Sequence, residues 1–274
     1  MPQTNRVNAV IVNYRTPDLT LKCVASILAH DVAAAEDIVV VDNASPDDSF
    51  ARLSAALSGV KLVQAANNRG YGAGVNIGAA QCERDYLLVL NPDTYFEDGS
   101  LAKALAVLDN QPEVGLVGLD LVYPDGERQY SARRFYSLLD VLGRRLPVGR
   151  YWPIKPRIDR HMMRSAWASG EPFDAEWVMG TGFLIRRDLF LQLHGMDEAY
   201  FLYMEDVDLC ARVWQSGARV MCVPGARLVH DHQRSSAAGP LSWAGRLHMR
   251  SLLLFRKKFH VPLVRQPGVE GLWR

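Results

Sequence analysis

The sequence has 274 residues, enough for one large α/β domain or for one domain with an elaborated C-terminal part. It is 49% hydrophobic and 22% charged, with a net charge of +1, a balance that argues against a general nucleic-acid binder. Its four cysteines, Cys23, Cys82, Cys210 and Cys222, lack metal-ligand spacing and read as small buried hydrophobes of a reducing compartment.

The N-terminal stretch MPQTNRVNAVIV lacks a signal-peptide apolar core, and no window is long enough to cross a bilayer. A cytoplasmic protein able to rest on a membrane surface is expected. VNAVIVNY (7–14) is a first strand, and Pro17 opens a helix with Leu19, Cys23 and Ile27 on one face. DIVVVDNAS (37–45) is a second strand, followed by a helix entered through Ser45 and Pro46. VKLVQA (60–65) is a third strand, and NNRGYGAGVNIGAAQC (67–82) is a glycine-rich turn entering a helix. DYLLVL (85–90), a helix over 99–111 and VGLVGLDLVY (114–123) complete an alternating pattern. That pattern predicts an α/β fold, a mostly parallel sheet with helices on both faces.

Periodicity fades over 124–172, which reads as a basic insertion or lid carrying some helix. From Arg128 to Arg164 ten Lys/Arg, including Arg144, Arg145 and Arg150, oppose only Asp140 and Asp159. Such an island suits an anionic neighbour or is simply a solvated loop. A strand and a helix are expected over 176–193, a helix from Glu205 to Gln215 ended by Gly217, and short strands at 219–224 and 226–231. LSWAGRLHMRSLLLFRKKFH (241–260) is a basic amphipathic helix that either lies on anionic lipid or packs on the domain. The expected division is a nucleotide-binding half (1–123), the insertion (124–172), an acceptor-side and catalytic half of the same domain (173–240), and a C-terminal helix and tail (241–274).

Ligands of open α/β sheets bind beyond the carboxyl ends of the strands, and four polar clusters lie there. These are Asn13-Tyr14-Arg15, Asp42-Asn43-Ala44-Ser45, Asn67 to Asn76, and Asn91-Pro92-Asp93. Together they supply acceptors for a base and ribose, glycines for close backbone approach and a carboxylate for a cation. Gly70, Gly72, Gly74 and Gly78 follow the third strand with the wrong spacing for a dinucleotide fingerprint, so a nicotinamide enzyme is not expected. Asp93 suits a hard divalent cation on a diphosphate, with His230 as a second ligand and His232 as its rival. In DEAYFLYMEDVDLCAR (197–212), acids at a helix start follow an aromatic platform. That arrangement fits a carboxylate base beside a sugar, and Asp208–Arg212 has the spacing of a surface pair.

The ordered set NYRTPD, VVDNAS, NNRGYGAGVNIG, LNPDT, GTGFLIRRDLF, YMEDVDLCAR and VHDHQRSS resembles glycosyltransferase family 2, the inverting enzymes of GT-A fold, and its bacterial rhamnosyltransferase-like branch in particular. The resemblance covers nearly the whole chain apart from 124–172. It implies that Asp42 holds the nucleobase of a nucleotide-sugar, with Asn13, Tyr14 and Arg15 lining the pocket and Asn68, Gly70, Gly74, Asn76 and Asn91 along the nucleotide-sugar. Asp93 and His230 would hold Mg²⁺ or Mn²⁺. Asn91 replaces the first acid of the family's Asp-x-Asp motif, so the metal loses one anionic ligand. Asp206 would be the general base with Glu205 beside it, and Trp177, Gly180, Thr181 and Tyr203 would meet the acceptor or donor sugar. The implied reaction is inverting transfer from a dTDP- or UDP-sugar, dTDP-rhamnose preferred, to a glycan or polyprenyl-linked acceptor in cell-surface polysaccharide synthesis. The competing readings are a catalytically silent nucleotide-binding protein and a nucleotidyltransferase. The latter calls for a glycine-rich basic loop after the first strand, which NYRTPD is not.

Overall fold

The structure is a computed structural model that describes residues 3–140, 154–231 and 242–273; Arg144, Arg145, Arg150 and His232 lie outside the described residues. Strands β1 (Val7–Asn13), β2 (Ile38–Asp42) and β4 (Tyr86–Leu90) are buried at every position. Continuous β-branched and aliphatic runs of this kind demand cover on both sheet faces. β3 (Lys61–Gln64) has no buried position because it forms an edge.

Among the described residues the main sheet runs β3-β2-β1-β4-β10-β6-β11-β5, with β8 (Phe173–Asp174) also on β11. The β1–β2, β1–β4, β2–β3 and β6–β11 pairs are parallel. β10 (Gly182–Arg186) inserts antiparallel between β4 and β6 (Val114–Val122), and β5 (Thr94–Tyr95) and β8 run antiparallel to β11 (Arg219–His230). The sheet is therefore mostly parallel with a reversed strand at its middle, where 176–193 returns after the insertion. The two short strands expected at 219–224 and 226–231 are one strand whose register slips between Val223 and Arg227. At that bend Gly225 has positive φ and its N–H donates to Asp120 Oδ2 at 2.8 Å, so the pairing resumes beyond Pro224.

Helices α1 (Pro17–Ala29), α2 (Ser49–Ala56) and α4 (Leu101–Asn110) cover one face through Cys23, Ile27, Leu53, Leu105 and Leu108. The other face carries α3 (Tyr71–Ala79), α5 (Ile154–His161), α6 (Arg164–Ala168), α7 (Arg187–Gln192), α8 (Glu205–Gln215) and α9 (Trp243–Lys258). Its core takes Val75, Phe190, Val207, Val213, Leu252 and Phe255.

Two expectations meet the structure here. The described residues of the 124–172 insertion pack on the domain: Phe135, Tyr136 and Trp167 are buried in that same core, and β7 (Ala132–Arg133) pairs with β9 (Trp177–Val178). Part of its cationic excess is also spent internally, Arg128 forking onto Asp120 at 2.9 and 3.0 Å and Arg157 meeting Asp140 at 2.6 Å. The Asp208–Arg212 pair is not on the surface. Asp208 is fully buried, because α8 packs on the sheet with that side inward, and it also receives Lys258 Nζ from α9 and the Tyr200 hydroxyl.

Candidate active site

One end of the site is built where β1 and β2 stop. Asn13 Nδ2 donates to Asp42 Oδ1 at 2.7 Å, while Asn13 Oδ1 accepts from Thr20 Oγ1 at 3.0 Å and from Thr16 N at 3.3 Å. Asp42 Oδ2 accepts from Ser45 N at 3.1 Å, so the buried carboxylate is oriented from two sides. Asn43 Nδ2 donates to Asn68 Oδ1 and to Gly70 O, tying the β2 end to the glycine-rich turn. Arg15 and Ala44 both turn at positive φ, an unfavoured conformation for such residues that clusters at binding loops. The Arg15 and Tyr14 side chains are exposed at the rim. Gly70 sits at φ +106, and a Cβ there would lie 2.3 Å from Phe201 O, so only glycine lets the turn meet the loop before α8.

The β4 end is fastened by Asn91 N donating to Thr181 O at 2.9 Å and by Thr94 Oγ1 donating to Asn91 O. Beyond it Asp93 faces His230 from the end of β11, with Nε2 3.3 Å from Oδ2. Gln129 Nε2 donates to the His230 carbonyl oxygen at 2.8 Å, which leaves Gln129 Oε1 to accept from His230 Nδ1 at 2.7 Å. That bond puts the lone pair of a neutral imidazole on Nε2, toward a carboxylate. Asp93 Oδ1 is buried without a hydrogen-bond partner. An imidazole nitrogen beside a carboxylate whose second oxygen is unsatisfied suits a divalent cation. Among the described residues no group of three His/Cys/Asp/Glu surrounds a point.

Asp206 opens α8, where the helix dipole favours an anion. Its Oδ2 accepts from Gly180 N at 2.8 Å, and a Cβ on Gly180 would lie 3.1 Å from the Asp206 Cβ. Burial raises the Asp206 carboxyl above the ordinary aspartate range, opposed by the backbone N–H groups of Gly180 and Val207 and by the charge of Arg133. Burial also raises Glu205, and the neighbouring charge of Asp206 adds to it; Glu205 Oε2 has no hydrogen-bond partner. Tyr203 and Met204 reach this helix start at positive φ, with the Tyr203 ring 5.3 Å from that of His248.

Tyr71 joins the two acid groups. Its hydroxyl donates to Gly180 O at 3.2 Å, and burial raises it well above its usual range, the charges of Glu205, Asp206 and Asp93 adding to the rise. One side chain thus senses Asp93 and Asp206 together, and Asn91–Thr181 beside Gly180–Asp206 links them through backbone.

Other expected residues serve the packing around the site or stand away from it. The Asn76 amide is occupied with Met196 N, Met196 O and Glu198, where it pins α3 to the 195–198 loop. Gly74 faces Val12, a Cβ meeting its Cγ1 at 2.7 Å, so it serves helix–strand packing. Trp177 is buried with its indole N–H on Arg134 O at 2.9 Å, which makes it a wall residue with no face open to a sugar. Thr181 is buried at the β4–β10 junction. Tyr71, Gln129 and Arg133 were not singled out in the sequence. Tyr71 lies inside the glycine-rich motif, and Arg133 and Gln129 lie in the basic stretch whose fold no periodicity revealed.

Residues 9–208 match the family described as Glycosyl transferase family 2. An N-acetylglucosaminyl-diphospho-decaprenol L-rhamnosyltransferase of Mycobacterium tuberculosis is 31% identical over 241 residues, 84% of this chain and 77% of the relative. Rhamnosyltransferase WbbL of Escherichia coli K12 is 27% identical over 192 residues, 66% of this chain and 68% of the relative. Among solved structures, GalNAc-T7 with UDP, GalNAc and Mn2+ superposes with a TM-score of 0.62 at 18% identity, over 90% of this chain and 47% of that one. The mannosyltransferase PcManGT from Pyrobaculum calidifontis with GDP-Man and Mn2+ gives 0.59 at 16% identity, over 94% and 77%. A sheet whose strand ends gather these acids, and a family match over most of the length, lead to one conclusion: the chain belongs to glycosyltransferase family 2 and is a glycosyltransferase of GT-A fold.

Proposed function

We propose that the protein transfers rhamnose from dTDP-rhamnose, with inversion, to a hydroxyl of a polyprenyl-linked glycan in bacterial cell-surface polysaccharide synthesis. The names of the Mycobacterium and Escherichia relatives support the sugar, and the first of them supports a diphospho-polyprenol acceptor. The observation that carries the reading is that adjacent residues of one strand entry hold both acid segments, Thr181 O accepting from Asn91 N two residues before Asp93 and Gly180 N donating to Asp206.

Asn13, Asp42 and the turn through Asn68 and Gly70 receive the nucleoside, with Asp42 accepting from base or ribose. Asp93 and His230 would hold a divalent cation, Mg²⁺ or Mn²⁺, which would supply charge to offset that developing on the diphosphate. Asp206, fixed by Gly180 N–H, takes the proton of the acceptor hydroxyl as that oxygen attacks the anomeric carbon opposite the leaving group. Tyr71 and Tyr203 border the space where the two sugars meet.

The test is a nucleotide-sugar panel with Mg²⁺ or Mn²⁺, scored by nucleotide diphosphate release and product anomer. Release of dTDP only from dTDP-rhamnose, with an inverted product, is expected. Release from a UDP-hexose would move the donor assignment, and a retained anomer would remove Asp206 from the base role.

A further inference from the structure

Helix α9 carries Arg246, Arg250, Arg256, Lys257 and Lys258 and not one acidic residue. Lys258 turns inward to Asp197 and Asp208. The other four are exposed and form no ion pair among the described residues. On the same side stand Trp243 (59% exposed), Met249 (43%) and Leu253 (58%). At 100° per residue, positions 243, 246, 249, 250, 253, 256 and 257 fall within an arc of about 140°. The opposite arc, with Gly245, Ser251, Leu252 and Phe255, is buried on the domain. A packed helix normally turns its large apolar residues inward, so three of them outside among four unpaired cations need a partner both apolar and anionic. A bilayer of acidic phospholipid supplies both, and a soluble anion or a plain apolar groove supplies only one.

We propose that the outer stripe of α9 docks on an anionic membrane surface, Trp243, Met249 and Leu253 entering the headgroup layer and Arg246, Arg250, Arg256 and Lys257 meeting the lipid phosphates. The inner side of the same helix grips the loop leading to the acid pair. Ser251 Oγ donates to Leu202 O at 2.8 Å, and His248 lies against Tyr203. Docking therefore fixes the height of Glu205 and Asp206 above the bilayer, where a polyprenyl-linked hydroxyl is presented. This last step rests on the acceptor reading above; the docking itself does not.

The full chain is floated with vesicles of phosphatidylcholine alone or with about 30% phosphatidylglycerol, at low and high salt and without any nucleotide-sugar. Binding is expected only with phosphatidylglycerol and should weaken in salt. Each basic residue near such a surface contributes roughly fivefold to partitioning, so Arg246→Glu with Arg250→Glu should lose at least about tenfold. Met249→Ser with Leu253→Ser should also lose binding at unchanged charge, and Lys61→Glu, exposed on the β3 edge, should not. The two pairs are independent, so a folding failure of one, seen in its thermal melt, leaves the other to decide. Absence of wild-type flotation, or flotation unchanged in the folded pairs, overturns the proposal. A dimer that these substitutions convert to monomer without vesicle binding also overturns it, assigning the stripe to a second copy. A protein that floats yet releases no nucleotide diphosphate would sink the transfer reading while leaving the docking surface standing.

Discussion

Asp206 must be ionised to accept a proton, yet its burial favours the neutral form, and the N–H groups of Gly180 and Val207 with the Arg133 charge work the other way. Asp206→Asn keeps the shape and removes the base. It should lower kcat by about 10²–10⁴ while calorimetric nucleotide binding stays near wild type. Arg133 is 8% exposed on β7, its guanidinium 5.5 Å from the Trp177 ring centre. Its cation favours the charged form of Asp206, so Arg133→Gln raises that carboxyl further. The limb of kcat/KM that climbs as Asp206 loses its proton should then move to higher pH, and Arg133→Lys should restore part of the shift. A pH–rate profile unchanged in Arg133→Gln would show that this charge does not reach the base. Gln129 acts one step further out, holding Nδ1 of His230 so that Nε2 faces Asp93. Gln129→Leu should weaken Mn²⁺ binding about 10–100-fold in calorimetry, with Asp93→Ala losing it outright. Equal Mn²⁺ affinity in wild type and Gln129→Leu would make the contact merely structural.

Helix α8 starts with a buried Glu205 and a half-buried Asp206 and buries Asp208 one turn on. Arg212 Nε meets Asp208 Oδ2 at 2.6 Å while its Nη1 donates to the carbonyl oxygens of Leu193 and Gly195. Lys258 adds a second cation from α9, shared with Asp197. Taking Asp208 away strands charged donors in a dry place, so Asp208→Ala should cost about 3–5 kcal/mol in urea unfolding. A loss below about 1 kcal/mol would be that of an exposed helix pair. The spacing of Asp208 and Arg212 is visible in the sequence, but its depth is not, because burial depends on how α8 packs against the sheet and on distant partners such as Lys258, fifty residues downstream. The same limit applies to β10. Its aliphatic run was legible as a strand, but its reversed place between β4 and β6 depends on where the insertion returns the chain. By contrast the β1, β2 and β4 ends, carrying Asn13, Asp42 and Asn91, were readable because a parallel sheet puts its strand ends at one rim.

At the scale of the molecule the decisive question is whether residues 124–172 fold as part of the domain. Arg, Pro and aromatics hid any period in the sequence, and so large a cationic excess reads as solvated surface. Instead Tyr130 and Phe173 pack edge-on to Trp167, whose ring also lies 4.8 Å beneath the Arg128 guanidinium that forks onto Asp120 of β6. Gln129 and Arg133, carried on this segment, support the proposed cation pair and the proposed base respectively. A lid could not hold them in register unless it shared the core. Trp167→Ala then empties a site within the common core and should cost about 3–5 kcal/mol. Unfolding should remain a single transition by fluorescence and circular dichroism, and the Mn²⁺ affinity of the folded fraction should fall as Gln129 loses its support. In a detached lid the same truncation would leave the main transition in place and add an earlier one of small amplitude. That second pattern would separate the insertion from the domain, and with it remove Gln129 and Arg133 from the site.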